Sequence, residues 1–172
     1  MQSPKMFGLS LITATFIAGC ATMPKGPAAM AQLSARSGSN VSGTVSVSEM
    51  PGGVKIQAKV SGLTPGEHGF HIHEAGDCSA PDATSAKGHF NPSAKEHGLF
   101  SSPEHHGGDM PNLIANAQGE ATYSFELMGV ALTGPSGVIG RSVVIHADPD
   151  DYKSQPAGNS GRRIACGVIA SQ

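Results

Sequence analysis

The sequence predicts an all-β domain, an antiparallel sandwich or barrel with one or two large functional loops. Three observations carry that prediction. The 172 residues include 23 Gly and 12 Pro, which implies many tight turns. Short runs of strict apolar–polar alternation recur along the chain, and alternation with period two is the mark of a half-buried strand. No stretch shows helical periodicity of any length, and no segment repeats.

The first residues differ from the rest. Lys5 precedes an uncharged stretch from Met6 to Gly19, rich in Leu, Ile, Phe and Ala. That is shorter than the roughly 20 apolar residues needed to cross a bilayer and suits the apolar core of a signal peptide. It ends in Ile17-Ala18-Gly19-Cys20, which resembles a bacterial lipobox, whose cysteine is lipidated and becomes the mature N-terminus. Residues 1–19 are therefore expected to be a lipoprotein signal peptide. Residues 20–38 are expected to be the lipidated N-terminus and a flexible tether, because Ala, Met, Pro, Gly and Ser dominate there without periodicity. The domain is expected to span 39–172.

From Asn40 the pattern changes. Val41, Val45 and Val47 fall on one face, and Met50-Pro51-Gly52-Gly53 reads as a turn. Val54, Ile56, Ala58 and Val60 then alternate with Lys55, Gln57, Lys59 and Ser61, which completes a hairpin. A second turn, Leu63-Thr64-Pro65-Gly66, leads into His68 to Glu74. Residues 75–112 lack periodicity, and a structureless run of that length inside a compact domain usually carries function. Strand patterns return at Ala121 to Leu127, Arg141 to His146 and Arg163 to Ala170.

The net charge of −2 and the absence of any basic run argue against nucleic acid as a partner. Three cysteines are an odd number for an exported chain. If Cys20 carries lipid, Cys78 and Cys166 remain as one pair for an oxidising compartment.

Histidine carries the chemistry. In Phe70-His71-Ile72-His73 a strand would turn Phe70 and Ile72 to the core and set His71 and His73 together on the other face. Two imidazoles so placed suit a borderline metal, although a lone His-x-His is a common surface pattern. The long loop adds His89, His97, His106 and Asp109, the donor types of a closed tetrahedral zinc site. Ser142 to Asp148 reads as a strand that sets His146 opposite Val143 and Ile145.

These residues stand in recognisable runs: Gly69-Phe70-His71-Ile72-His73, Gly88-His89-Phe90-Asn91-Pro92, His106-Gly107-Gly108-Asp109 and Gly158 through Ile169. Together they resemble the copper/zinc superoxide dismutases, in particular the exported bacterial branch, over about residues 40–172. The resemblance implies a Greek-key β-barrel of about eight antiparallel strands with two long loops. It implies that His71, His73, His89 and His146 bind copper, and that His89, His97, His106 and Asp109 bind zinc, with His89 bridging the two. The step of three residues to Asp109 selects His106 over its neighbour His105. Cys78 and Cys166 match the family's disulfide, Arg163 its arginine at the copper channel, and Asp150 its aspartate linking His71 to His97. Arg162 matches a generic surface charge, and His68 is expected to pack beneath the site.

The implied reaction is dismutation of the superoxide anion. One superoxide reduces copper and leaves as dioxygen; a second is reduced to hydrogen peroxide with protons from His89 and water. Two departures from the eukaryotic branch matter. The segment from Asp151 to Arg163 is short and lacks an acidic run, so steering charges cannot be copied, and Lys95 and Lys153 are the candidates here. Cys78 also sits further from His89, which implies a longer disulfide subloop. The rival reading is a dismutase-like module that stores or delivers copper or zinc; such relatives usually lack a copper ligand or the arginine, and both are present. A hydrolytic zinc enzyme would keep one zinc position open, whereas four residues fill it here. The expected location is the periplasmic face of a bacterial membrane, held by the N-terminal lipid, with Ala21 after the cysteine favouring the outer membrane. The sequence leaves monomer and homodimer open.

Overall fold

A computed structural model describes Met1 and residues 28–172. Cys20, the expected signal peptide beyond Met1 and residues 20–27 of the expected tether lie outside the described residues.

Among the described residues ten strands form: β1 (Ala29–Ala35), β2 (Ser42–Met50), β3 (Gly53–Ser61), β4 (Gly66–His68), β5 (Phe70–His73), β6 (Leu113–Ala115), β7 (Ala121–Met128), β8 (Ser142–His146), β9 (Arg163–Val168) and β10 (Ala170–Ser171). The large sheet runs β5-β8-β9-β1-β2-β3-β7, entirely antiparallel, with β10 also paired to β1. The run β9-β1-β2-β3 sets a late strand beside the first of three consecutive ones, which is the Greek-key order. A small sheet, β4-β6, follows on: β4 enters β5 through Gly69, and β6 packs against β7.

The β2–β3 hairpin forms in the expected register, with Val45 opposite Ala58 and Val47 opposite Ile56. Val41, Val45, Val47, Val54, Ile56, Ala58 and Val60 are all buried in the core, as the alternation requires. Burying each such side chain contributes about 1.5–3 kcal/mol, less for alanine.

The expected tether is corrected for residues 29–35. They form β1, in the middle of the large sheet, so the folded domain starts well before residue 39. Ala29, Ala31 and Leu33 point into the core and are fully buried, alternating with Met30, Gln32 and Ser34. Period two is present in the sequence, but two of the three inward positions are alanine, which strands usually avoid.

The two long loops are where they were expected. Residues 74–112 join β5 to β6 with a single 3₁₀ turn at Thr84–Ala86, and residues 147–162 join β8 to β9. The free edge of β5 is covered by the first loop. His73 bridges to His89 and His71 to Asp109, both antiparallel, and Phe90 N–H donates to Ile72 O at 2.8 Å. Gly108 lies so close to the Ile72 carbonyl that a Cβ there would collide with it. The edge strand thus receives its missing partners and the histidines of loop and strand are set side by side.

A candidate dinuclear metal centre

Strand β5 is buried on both faces: Phe70 and Ile72 enter the core, while His71 and His73 face the loop that covers them. His146 comes from β8, next to β5. A register shift at Ile145/His146 places His146 opposite Arg163 of β9. Such bulges re-aim side chains, and this one sets a cation beside the third strand histidine.

Two groups of donors result. His71, His73, His89 and His146 form one; His89, His97, His106 and Asp109 form the other; within each, the ligand atoms lie within 4.8 Å of one another and every residue is buried. His89 belongs to both. Its Nδ1 lies 2.8 Å from Asp109 Oδ1 in the second group, and its Nε2, which has no partner, is left for the first. The rings of His71 and His89 stack at 3.9 Å between centroids. His105 stays outside both groups, its Nδ1 on the carbonyl of His106 at 2.7 Å. His68 lies beneath, its Nδ1 2.9 Å from the carbonyl of His146.

The outer nitrogens are spoken for, which fixes where the inner ones point. Asp150, itself buried, receives His71 Nε2 at 2.8 Å and His97 Nε2 at 3.0 Å on its two oxygens. His73 Nδ1 donates to the carbonyl of Lys87 at 2.9 Å. What remains is a set of buried nitrogens without hydrogen bonds: His71 Nδ1, His89 Nε2, His97 Nδ1 and His106 Nδ1. Buried polar atoms are ordinarily satisfied. Orphaned imidazole nitrogens converging on two points are what divalent metal ions require, and the donor sets fit: imidazoles alone for copper, three imidazoles and a carboxylate for zinc.

Burial pushes His73 and His146 well below the usual histidine range and takes His89 down to about 3, helped by the neighbouring imidazoles. Their lone pairs are therefore free at neutral pH. His97 differs: burial opposes its protonation, but the carboxylates of Asp109, 3.1 Å from Nδ1, and Asp150, on Nε2, outweigh that and raise it to about 9. His106, His89 and His97 hold Asp109, and hydrogen bonds from His71 and His97 hold Asp150, far below the carboxylate range, against the effect of burial.

Arg163 donates from Nη1 to the carbonyl of Ala83 at 2.7 Å, so the first loop holds it in place. That loop is pinned by the Cys78–Cys166 disulfide, with Cα atoms 5.7 Å apart. Arg163 and His146 line a pocket of about 280 Å³, walled by Ser154 to Ala157 and Asn159 to Gly161 of the second loop. Arg162 is exposed and lies to the side with Asp82 and Thr84. Lys95 donates to the carbonyl of Pro103, and both Lys95 and Lys153 are exposed.

A copper/zinc superoxide dismutase family model matches residues 41–169. The chain belongs to the copper/zinc superoxide dismutase family. It is 45% identical over 134 residues to a copper/zinc superoxide dismutase of Caulobacter vibrioides, covering 74% of this chain and 77% of that one. To the enzyme of Deinococcus radiodurans it is 41% identical over 164 residues, 89% of each. Among solved structures, a double mutant of a superoxide dismutase-like protein from Bacillus subtilis matches with a TM-score of 0.75 and 40% identity, over 83% of this chain and 97% of that one. The clock protein EA4 matches with a TM-score of 0.77 and 36% identity, over 88% and 99%. As a family member the chain is an oxidoreductase that dismutes superoxide to dioxygen and hydrogen peroxide, with copper and zinc as its metals.

Three contributors escaped the sequence reading because only tertiary contact reveals them. Asn112 clamps the backbone of Asp150, accepting its N–H at 2.9 Å and donating to its carbonyl at 3.1 Å. Arg36 donates twice to the carbonyl of Cys78, at 2.9 and 2.6 Å, tying β1 to the dismutase's disulfide loop. Gln155 holds the backbone of His97. The only sequence signal for any of them is a polar residue in a loop, which a surface position gives equally well.

Proposed function

We propose that His71, His73, His89 and His146 hold the copper of this dismutase, that His89, His97, His106 and Asp109 hold its zinc, and that Arg163 receives superoxide beside His146. The single observation that carries this reading is the sharing of His89 between two complete buried donor groups. Copper supplies the one-electron exchange, and zinc, which has no redox chemistry, supplies fixed positive charge. The residues do the rest. Asp150 orients His71 and His97 through their Nε2 atoms, which aims Nδ1 of each inward. His89 carries the exchangeable proton at Nε2, the nitrogen that faces the copper group, while Asp109 keeps its Nδ1 side fixed. Arg163 offers a permanent cation at the pocket.

The test is dismutation by the copper- and zinc-reconstituted protein beside Arg163→Gln. Electrostatic focusing raises association rates by roughly 10 to 10³-fold, with superoxide dismutases the standing example. The variant is expected to keep both metals, to lose about tenfold in kcat/KM and to respond less to added salt. Unchanged kcat/KM would remove Arg163 from the path of the anion.

Zinc uptake has a pH signature. In the metal-free domain His97 is protonated below its raised pKa of about 9, and zinc at Nδ1 must displace that proton. Calorimetry at pH 7 in buffers of different ionisation enthalpy should therefore show about one proton released per zinc, and the release should vanish as pH rises past about 9. Release that does not depend on pH in this range would contradict the assignment of His97.

The same reading takes in the N-terminus. The lipobox-like Ile17-Ala18-Gly19-Cys20 and the apolar stretch before it support export and lipidation at Cys20, with the dismutase facing the periplasm and protecting the cell envelope. Cys20→Ala is expected to shift the protein from the membrane fraction and to remove an acyl mass from the mature chain, read by fractionation and mass spectrometry.

A further inference from the structure

The second loop walls the pocket beside His146 and Arg163, yet the stretch from Lys153 to Ala157 is almost closed on itself. Asp151 accepts from Lys153 N–H at 2.9 Å, from Ser154 N–H at 2.8 Å and from Ser154 Oγ at 2.6 Å. Gly158 N–H returns to Ser154 O at 2.7 Å, and Ser160 Oγ to Ala157 O at 3.0 Å. Among the described residues, the hydrogen bonds that leave this turn from 153–157 both come from one side chain. Gln155 accepts the N–H of His97 on Oε1 at 3.0 Å and donates from Nε2 to the carbonyl of His97 at 2.8 Å. An amide that pairs with both backbone groups of one residue copies a strand contact and fixes that residue in two directions.

The residue so held is a member of the second donor group whose ring also meets Asp150, the carboxylate it shares with His71. His97 meets Asp109 through Nδ1 at 3.1 Å and Asp150 through Nε2 at 3.0 Å. Its main chain is gripped by the pocket wall while its side chain reaches for the zinc donors. We propose that Gln155 is a positioning residue that couples zinc binding at His97 to the order of the pocket wall formed by Ser154, Gln155, Pro156 and Ala157. The inference rests on the reading of His97 as a zinc ligand. The coupling runs both ways. Zinc that fixes His97 also fixes Gln155 and the wall; a wall released from His97 leaves that ligand less well aimed.

The experiment uses the full chain in detergent, with Gln155→Met, which keeps the length of the side chain but makes neither hydrogen bond, and Gln155→Glu, which keeps the acceptor alone. Zinc affinity is read by chelator competition, copper affinity separately, and amide exchange of residues 153–158 is read with and without zinc. In the parent, zinc should slow exchange in 153–158. In Gln155→Met zinc affinity should fall about 10 to 100-fold, the range for partners that orient a ligand. Copper affinity and the melting temperature of the metal-free protein should stay as in the parent, and zinc should no longer protect 153–158. Gln155→Glu should lie between. A Met variant that binds zinc as the parent does and retains zinc-dependent protection would overturn the coupling alone. A parent that fails to bind zinc would overturn the reading of His97, and the coupling with it.

Discussion

His146→Ala is expected to abolish dismutation and to lower copper affinity by more than about 100-fold, the upper range for losing a residue that merely orients a ligand. His146 sits at the bulge between β8 and β9, its Nε2 3.4 Å from His73 Nε2, so the two present their nitrogens to the same point. Removing it leaves the zinc group intact, because His146 is not one of the four residues His89, His97, His106 and Asp109. The expected pattern is therefore specific: activity and copper are lost, and zinc is retained at one per chain. Metal analysis after dialysis, beside a dismutation assay, reads both. A variant that loses zinc as readily as copper would mean that the two groups are not independent around His89. The cavity left by the missing ring costs fold stability as well, by roughly 1–3 kcal/mol, so thermal unfolding of the metal-free protein should accompany the assay.

The second large effect belongs to Asp150, which touches neither donor group's centre. Its two oxygens hold His71 Nε2 and His97 Nε2, one histidine from each group. Asp150→Ala would free both rings to rotate and would leave two buried N–H groups unpaired, so affinity for both metals should drop about 10 to 100-fold each. Asp150→Asn is the sharper variant. One amide oxygen can still accept from one histidine, but the amide nitrogen meets the other's N–H with a donor. The expected result is loss at one metal more than at the other, read by competition with chelators. Equal affinities in the parent and both variants would show that Asp150 is a turn residue and no more. Gly158 belongs to the same contact: a Cβ there would run into Asp150 and His97, so Gly158→Ala should weaken the metals in the same sense.

Much of this centre is legible in the sequence because each donor sits in a local pattern. His71 and His73 are two apart on a strand, His106 and Asp109 three apart in a glycine-flanked turn, and His146 ends an alternating run. Strand alternation fixes faces, so the burial of Phe70 and Ile72 opposite the histidines followed from period two. What the sequence could not supply is contact across loops. Nothing local to Gln155 or Asn112 says that each will clamp a backbone forty to sixty positions away. Strand β1 was hidden for a different reason. Alanines at its inward positions fit the crowded middle of the sheet, between β9 and β2, yet contribute little hydrophobic signal to a sequence pattern.

The β4–β6 pair shows the same limit on a smaller scale. Leu113 and Ala115 face inward and Ile114 is largely exposed, a period-two pattern three residues long, too short to separate from loop by inspection. It matters all the same, because β4 carries His68, whose ring supports the carbonyl of His146 from below.

The proposed site stands or falls with the sharing of His89 by two metal ions. Anomalous diffraction from a crystal of the reconstituted protein, recorded at the copper and zinc edges, tests it most directly. A copper peak is expected among His71, His73 and His146, a zinc peak among His97, His106 and Asp109, and His89 between them with one ring nitrogen toward each. A single peak, or two peaks of which only one borders His89, would contradict it.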